Sequence, residues 1–130
     1  MRPYAPSNDD PAQFIATPVI HNDEVCAILA FQIPLDEINA IMQERTGMGE
    51  SGETYLVGSD LLMRSDSYLA PESHSVEVSL NGTVAANGVD TEAARTGLSG
   101  EADNRVILDY RGTPVFSSWG PVEVGDLRWS

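Results

Sequence analysis

Short strand-like runs joined by tight turns, with helical segments set between them, predict an α+β domain built on an antiparallel sheet. Three stretches carry that expectation. From Glu24 to Ile33 the residues are almost all apolar between turn signals, whereas from Leu35 to Arg45 the apolar residues recur at helical spacing. The last third reads as a meander of β-prone runs, broken at Arg111-Gly112, at Pro121 and at Gly125-Asp126.

Taken in order, residues 2 to 13 (RPYAPSNDDPAQ) hold three prolines and two adjacent aspartates, which favour irregular, extended backbone. Phe14 to Ile20 is β-prone, with Pro18 demoting it to an edge or a bulge. His21-Asn22-Asp23 supplies a turn. In the strand that follows, Val25, Ala27, Leu29, Phe31 and Ile33 share one face while Cys26, Ile28 and Ala30 share the other. Two apolar faces predict a central strand covered on both sides, with Cys26 a small buried hydrophobe.

Pro34 ends that strand. In the helix predicted over 35–45, Leu35, Ile38, Ile41, Met42 and Arg45 lie on one side, Asp36 and Glu37 suit the positive end of the dipole, and Gly47 fits a left-handed cap. Residues 67 to 88 are the least legible. Asn81-Gly82 predicts a small hairpin between 76–80 and 83–85, and Asp90 predicts the cap of a short helix through Thr96, ended by Gly97 or Gly100. The final runs are 102–110, 113–119 and 127–129. The chain stops while still strand-like, the pattern expected of a fragment from a longer protein.

Composition narrows the function classes. A chain of 130 residues with 42% hydrophobic residues suffices for one domain with its own core, and no run reaches the length of a membrane span. The net charge is −13, and all seven basic residues are Arg. A surface of that sign repels phosphate backbones and anionic headgroups, which argues against nucleic acid and peripheral-membrane partners. His21 and His74 fall in predicted loops without metal or acyl-transfer spacing, and GMGESG lacks the Lys of a phosphate loop. No enzyme and no cofactor are therefore expected. Ser7-Asn8-Asp9-Asp10 and Asn22-Asp23-Glu24 could offer oxygens to Ca²⁺, but neither has an ordered twelve-residue loop, and solvated loops are favoured.

The stretch from Thr46 to Ser67 reads as strand, tight turn, strand: Thr54 to Val57, then Gly58-Ser59-Asp60, then Leu61 to Ser65. Leu61, Met63 and Ser65 would share one face, and Leu62, Arg64 and Asp66 the other. Within it, GESGETYLVGSDLLMRSDS resembles the signature segment of the extracytoplasmic sensor regions of bacterial methyl-accepting chemotaxis proteins and related membrane cyclases and kinases, with Ser51 where the pattern has Thr. Those regions have the Cache architecture, a PAS-like fold. Residues 2–19 (RPYAPSNDDPAQFIATPV), 89–101 (VDTEAARTGLSGE) and 108–130 (LDYRGTPVFSSWGPVEVGDLRWS) resemble the same family, while 68–88 match loosely.

The resemblance implies a five-stranded antiparallel PAS-like sheet flanked by helices, on the periplasmic side of the bacterial inner membrane. It implies a membrane-proximal sensor that binds a small polar ligand such as an amino acid or carboxylate and signals through transmembrane helices outside this sequence. A homodimer is compatible with it, and so is a ligand-free spacer. The residues themselves suggest where a ligand would sit. A guanidinium and a carboxylate two apart on one strand face, Arg64 and Asp66, could clamp a small acid or zwitterion, or Arg64 could pair structurally with Asp66 or Asp109. Tyr55 and Tyr68 offer aromatic walls, and Asp109, Tyr110 and Ser118 place polar groups on the final strands, Ser117 and Ser118 being favoured to face solvent.

Overall fold

The computed structural model of the chain describes residues 2–3, 5–7 and 11–130. The part of the proposed acidic cluster at 8–10 lies outside them. The strands are β1 (Arg2–Pro3), β2 (Pro11–His21), β3 (Glu24–Ile33), β4 (Asp103–Leu108), β5 (Pro114–Trp119), β6 (Val122–Val124) and β7 (Leu127–Trp129). The helices are α1 (Leu35–Met42), α2 (Val76–Leu80), α3 (Val84–Asn87) and α4 (Glu92–Ser99), with a 3-10 turn at Ala5–Ser7.

The single five-stranded sheet does not form. The strands divide into β1-β2-β3, β4-β5 and β6-β7, each antiparallel and each closed locally. Local turns explain the division. Asn22 and Asp23 both adopt positive φ, 50° and 61°, which closes the β2–β3 hairpin with a two-residue loop whose twist suits the strands. Gly112 and Gly125 turn the two later hairpins, also at positive φ. Closing short loops costs little entropy, whereas joining 24–33 to 103–129 means closing a long one. The free edge of β7 is also taken: Trp129 bridges Gly58, and Val57 and Ser130 exchange backbone hydrogen bonds of 2.7 and 3.0 Å.

β3 is consequently an edge strand, exposed on both faces, rather than a covered central one. Cys26 is exposed with it, its thiol donating to the Val19 carbonyl across the hairpin at 3.3 Å, so it is no core residue. Pro18 lies within β2 beside a register shift at Val19/Ile20, the irregularity its ring would cause. The hairpin expected at Asn81-Gly82 is replaced by α2 and α3. Ser75 caps α2 by accepting from the Val78 N–H, and a nearby cap outweighs weak strand propensity in so short a segment. α4 is capped by Thr91 rather than Asp90, which instead pairs with Arg95, and it ends at Gly100 in the left-handed region. α1 stops at Met42, before the predicted Arg45.

The core gathers around the stretch that resembles a signature. Val57, Met63, Val89 and Ala94 are buried together, with Tyr55, Leu61 and Tyr110 packed against them. Met63, Ser65 and Ser67 alternate as buried residues with the more accessible Arg64 and Asp66, so the two faces of 61–66 are sorted as their period of two requires. The ladder there is short: one bridge, Val57 to Met63, around a turn in which Leu61 takes φ 59°. Side-chain hydroxyls replace missing rungs. Ser65 accepts from the Leu56 N–H at 2.9 Å, and Ser79 of α2 accepts from the Met63 N–H at 3.1 Å.

Candidate functional site

The proposed Arg64–Asp66 clamp is absent. Arg64 folds back over Gly58, where any Cβ would overlap the guanidinium, and its side chain is only 14% exposed. It donates to the carboxylate of Asp60 at 2.6 Å and to the carbonyls of Leu62 and Met63 at 3.2 Å. The partner is neither Asp66 nor Asp109 because the turn at 58–61 carries Asp60 directly under the strand that follows. Burial opposes ionisation of Asp60, yet the hydrogen bond and charge of Arg64 with the Leu62 N–H outweigh it and hold its carboxyl below the usual range.

Asp66 is spent on architecture. It accepts from the Val76 N–H at the start of α2 at 2.7 Å and from the Asn39 amide of α1 at 2.8 Å, tying both helices to one carboxylate. Tyr68 is half exposed, with the Arg45 guanidinium 3.6 Å above its ring. None of Arg64, Asp66 and Tyr68 lines a cavity with the remaining candidates.

Those others do converge. Tyr55, Asp109 and Ser118 line a cavity of about 370 Å³, bounded by residues 51–57, the start of α4 and one side of β5, and reached by Ser130. Arg111, Ser117, Trp119 and Glu53 belong to its polar lining, with Ser51, Thr54 and Thr91. Asp109 forms the turn that presents Arg111. One carboxylate oxygen accepts from the N–H groups of Arg111 and Thr113 at 2.9 and 2.8 Å, and the other accepts from the guanidinium at 2.9 and 2.7 Å. Burial would raise the Asp109 carboxyl, but the Thr113 N–H and the Arg111 pair prevail and hold it below the usual range. The Trp119 indole N–H is buried and has no acceptor among the described residues.

Tyr110 stands behind this cavity, bordering a shallower hollow beside α4. Its ring meets Tyr55 edge-on at 5.5 Å, and its hydroxyl donates to Glu53 at 2.6 Å and contacts Ser67 at 2.7 Å. Glu53 also accepts from the Ser67 hydroxyl and the N–H groups of Tyr68 and Leu69 at 2.8, 3.0 and 3.2 Å. Desolvation comes first in raising both phenols, followed by the Glu53 charge for Tyr55 and by the hydrogen bond to Glu53 for Tyr110, so both act at neutral pH as hydrogen-bonding groups rather than bases. Sequence reasoning missed Glu53 and Arg111 because each sits among turn formers, in SGET and YRGT. The available signal was a charge next to a β-prone run in a segment otherwise made of small residues.

Ser73 and His74 are also hydrogen-bonded, 2.8 Å between hydroxyl and Nδ1, but they lie in one turn and neither borders the cavity. Among the described residues no group of three or more His, Cys, Asp or Glu is arranged to hold a metal, and no helix is long and apolar enough to cross a membrane. No family model, curated protein or solved structure matches the chain.

Proposed function

We propose that this chain is an extracytoplasmic sensing domain of a chemotaxis-type receptor, binding a small polar solute in the cavity between residues 51–57, α4 and β5. The observation that carries the reading is the lining itself: Arg111, fixed by Asp109, borders a 370 Å³ cavity together with Tyr55, Ser117 and Ser118. Held by Asp109, the Arg111 side chain keeps 33% of its surface accessible, and a charge-assisted hydrogen bond from it to a bound solute would contribute about 1.5–3 kcal/mol. The resemblance of residues 49–67 to a sensor signature supports the same reading, independently of the sheet. Ser130 lines the cavity and is hydrogen-bonded in both directions to Val57, so occupancy would bear directly on the C-terminal segment.

The test is a thermal-shift screen against amino acids, carboxylates, amines and sugars, with Arg111→Ala, Trp119→Phe and Arg64→Ala alongside. A ligand should raise Tm with the logarithm of its concentration. Arg111→Ala should weaken the response about tenfold in concentration, the loss of one good hydrogen bond, while Arg64→Ala and Trp119→Phe, which remove no donor that reaches the cavity, leave it largely intact. A wild-type protein that no compound stabilises sinks the sensing reading. It would leave the second, a ligand-free spacer, which the saturation of Arg64, Asp66 and Tyr110 by internal partners favours.

A further inference from the structure

We propose that β3 is the surface through which two copies of this chain associate, the free edge of one β3 adding to the free edge of the other as antiparallel strands about a two-fold axis. The pairing is independent of what the cavity holds.

Surface area motivates it. The chain exposes 8275 Å², about 1,600 Å² more than the roughly 6,700 Å² expected of a compact folded chain of its mass. A standard-size interface removes about 800 Å² from each partner, so the excess is ample for one. The β2–β3 hairpin holds much of it: Ile28 is 72% exposed and Val25 and Phe31 are each 62% exposed, on opposite faces of β3. Large apolar side chains exposed on both faces of one strand mark that strand as a place of association.

Edge chemistry selects β3. The outer edge of β2 is protected by Pro18, by the register shift at Val19/Ile20 and, at its start, by β1. From Val25 to Phe31 the free edge of β3 has no proline, glycine or charge. No described strand covers it, which leaves an unguarded row of backbone donors and acceptors.

Charge selects a second copy, paired antiparallel. Between Pro11 and Ile33 the only charged side chains are Asp23 and Glu24, both at the hairpin tip, in a chain of net charge −13. Elsewhere two copies repel; along β3 they do not. Antiparallel addition sets the two acidic tips about 30 Å apart for ten-residue strands, well beyond the roughly 8–10 Å over which salt screens. Parallel addition would superpose them. A partner read by charge would find nothing to read on 25–31.

Sedimentation velocity from about 5 to 200 μM, a range that brackets ordinary micromolar association, should give a defined species of twice 14.0 kDa. Ile28→Lys, placing like charges near the axis, should weaken the dimer at least about tenfold with an unchanged circular dichroism spectrum, since Ile28 is exposed in the single chain. Hydrogen exchange on the wild type is the second readout, with protection of the outward-facing amides across 25–31 rising as concentration rises. A monomer throughout the range overturns the proposal. So does a dimer whose outward-facing β3 amides gain no protection at any concentration, an undiminished dimer in Ile28→Lys, or aggregation without a defined dimer. If Ile28→Lys fails to fold, the wild-type exchange decides.

Discussion

Tyr110 is gripped from several directions at once: by Tyr55 edge-on, by Glu53 through its hydroxyl, and by the His74 ring 4.4 Å away. The His74 Nδ1 also lies 2.8 Å from the Ser73 hydroxyl. Desolvation is the leading effect on the imidazole and lowers its pKa from the ordinary 6.5, against the Gly88 backbone and the Glu53 charge that favour the proton. A base with a depressed folded pKa contributes stability above its unfolded pKa. That contribution is lost as pH falls from about 6.5 through the lowered value, because the unfolded chain takes the proton first. The urea midpoint of the wild type should therefore drop between pH 7.5 and 5, and His74→Gln should flatten that slope. Equal slopes in both proteins would mean that His74 is as well solvated folded as unfolded. The alternation across 61–66 was legible in the sequence, since period two sorts Met63 and Ser65 from Arg64 and Asp66. Their partners were not, because a turn geometry set by Leu61 at positive φ decides that Arg64 meets Asp60.

Elements are where glycine spacing becomes a packing argument. At Gly58 an added Cβ would meet the flexible end of Arg64, which can swing into water at the loss of its ion pair with Asp60 and its bonds to the Leu62 and Met63 carbonyls. At Gly88, which ends α3, the same atom would meet the Val84 carbonyl and Cα, which cannot move without shifting the helix. Gly88→Ala should thus cost about 1–3 kcal/mol of unfolding free energy, the ordinary cost of overpacking, and Gly58→Ala less, about 1, because the bonds that Arg64 gives up are remade to water. Urea denaturation of the two variants measures both. The reverse order would identify Arg64 as a fixed strut rather than a movable cover. Helix ends were legible where a cap residue lies in plain view, as with Gly100 after α4. The α2 and α3 region was not, because Asn81-Gly82 suits a hairpin and a helix end equally, and the deciding bonds run from Ser75 to Val78 and from Ser79 to Met63.

At the scale of the whole molecule, local turns were readable and the joining of hairpins was not. Positive-φ turns at Asn22-Asp23, Gly112 and Gly125 are written into adjacent residues, whereas the docking of Ser130 on Val57 depends on two segments more than seventy positions apart. Charge also belongs to this scale. Seven arginines serve twenty acidic side chains, so most carboxylates have no basic partner to share, and the folded chain holds them closer together than the unfolded one does. The ion pairs Arg95–Asp90, Arg105–Glu92 and Arg128–Glu123 are exposed at both ends and therefore contribute little that salt could remove. Net repulsion is the larger effect, and salt should stabilise the fold. Tm should climb between about 10 mM and 0.3 M NaCl and then level off, as the screening length falls from about 30 Å to near the spacing of neighbouring surface charges. Ammonium sulfate should continue upward beyond that plateau through exclusion from the protein surface, which separates the two effects. A Tm that falls over the low-salt range would show that the arginine pairs outweigh the unpaired acids, and that the acidic surface is not what limits stability.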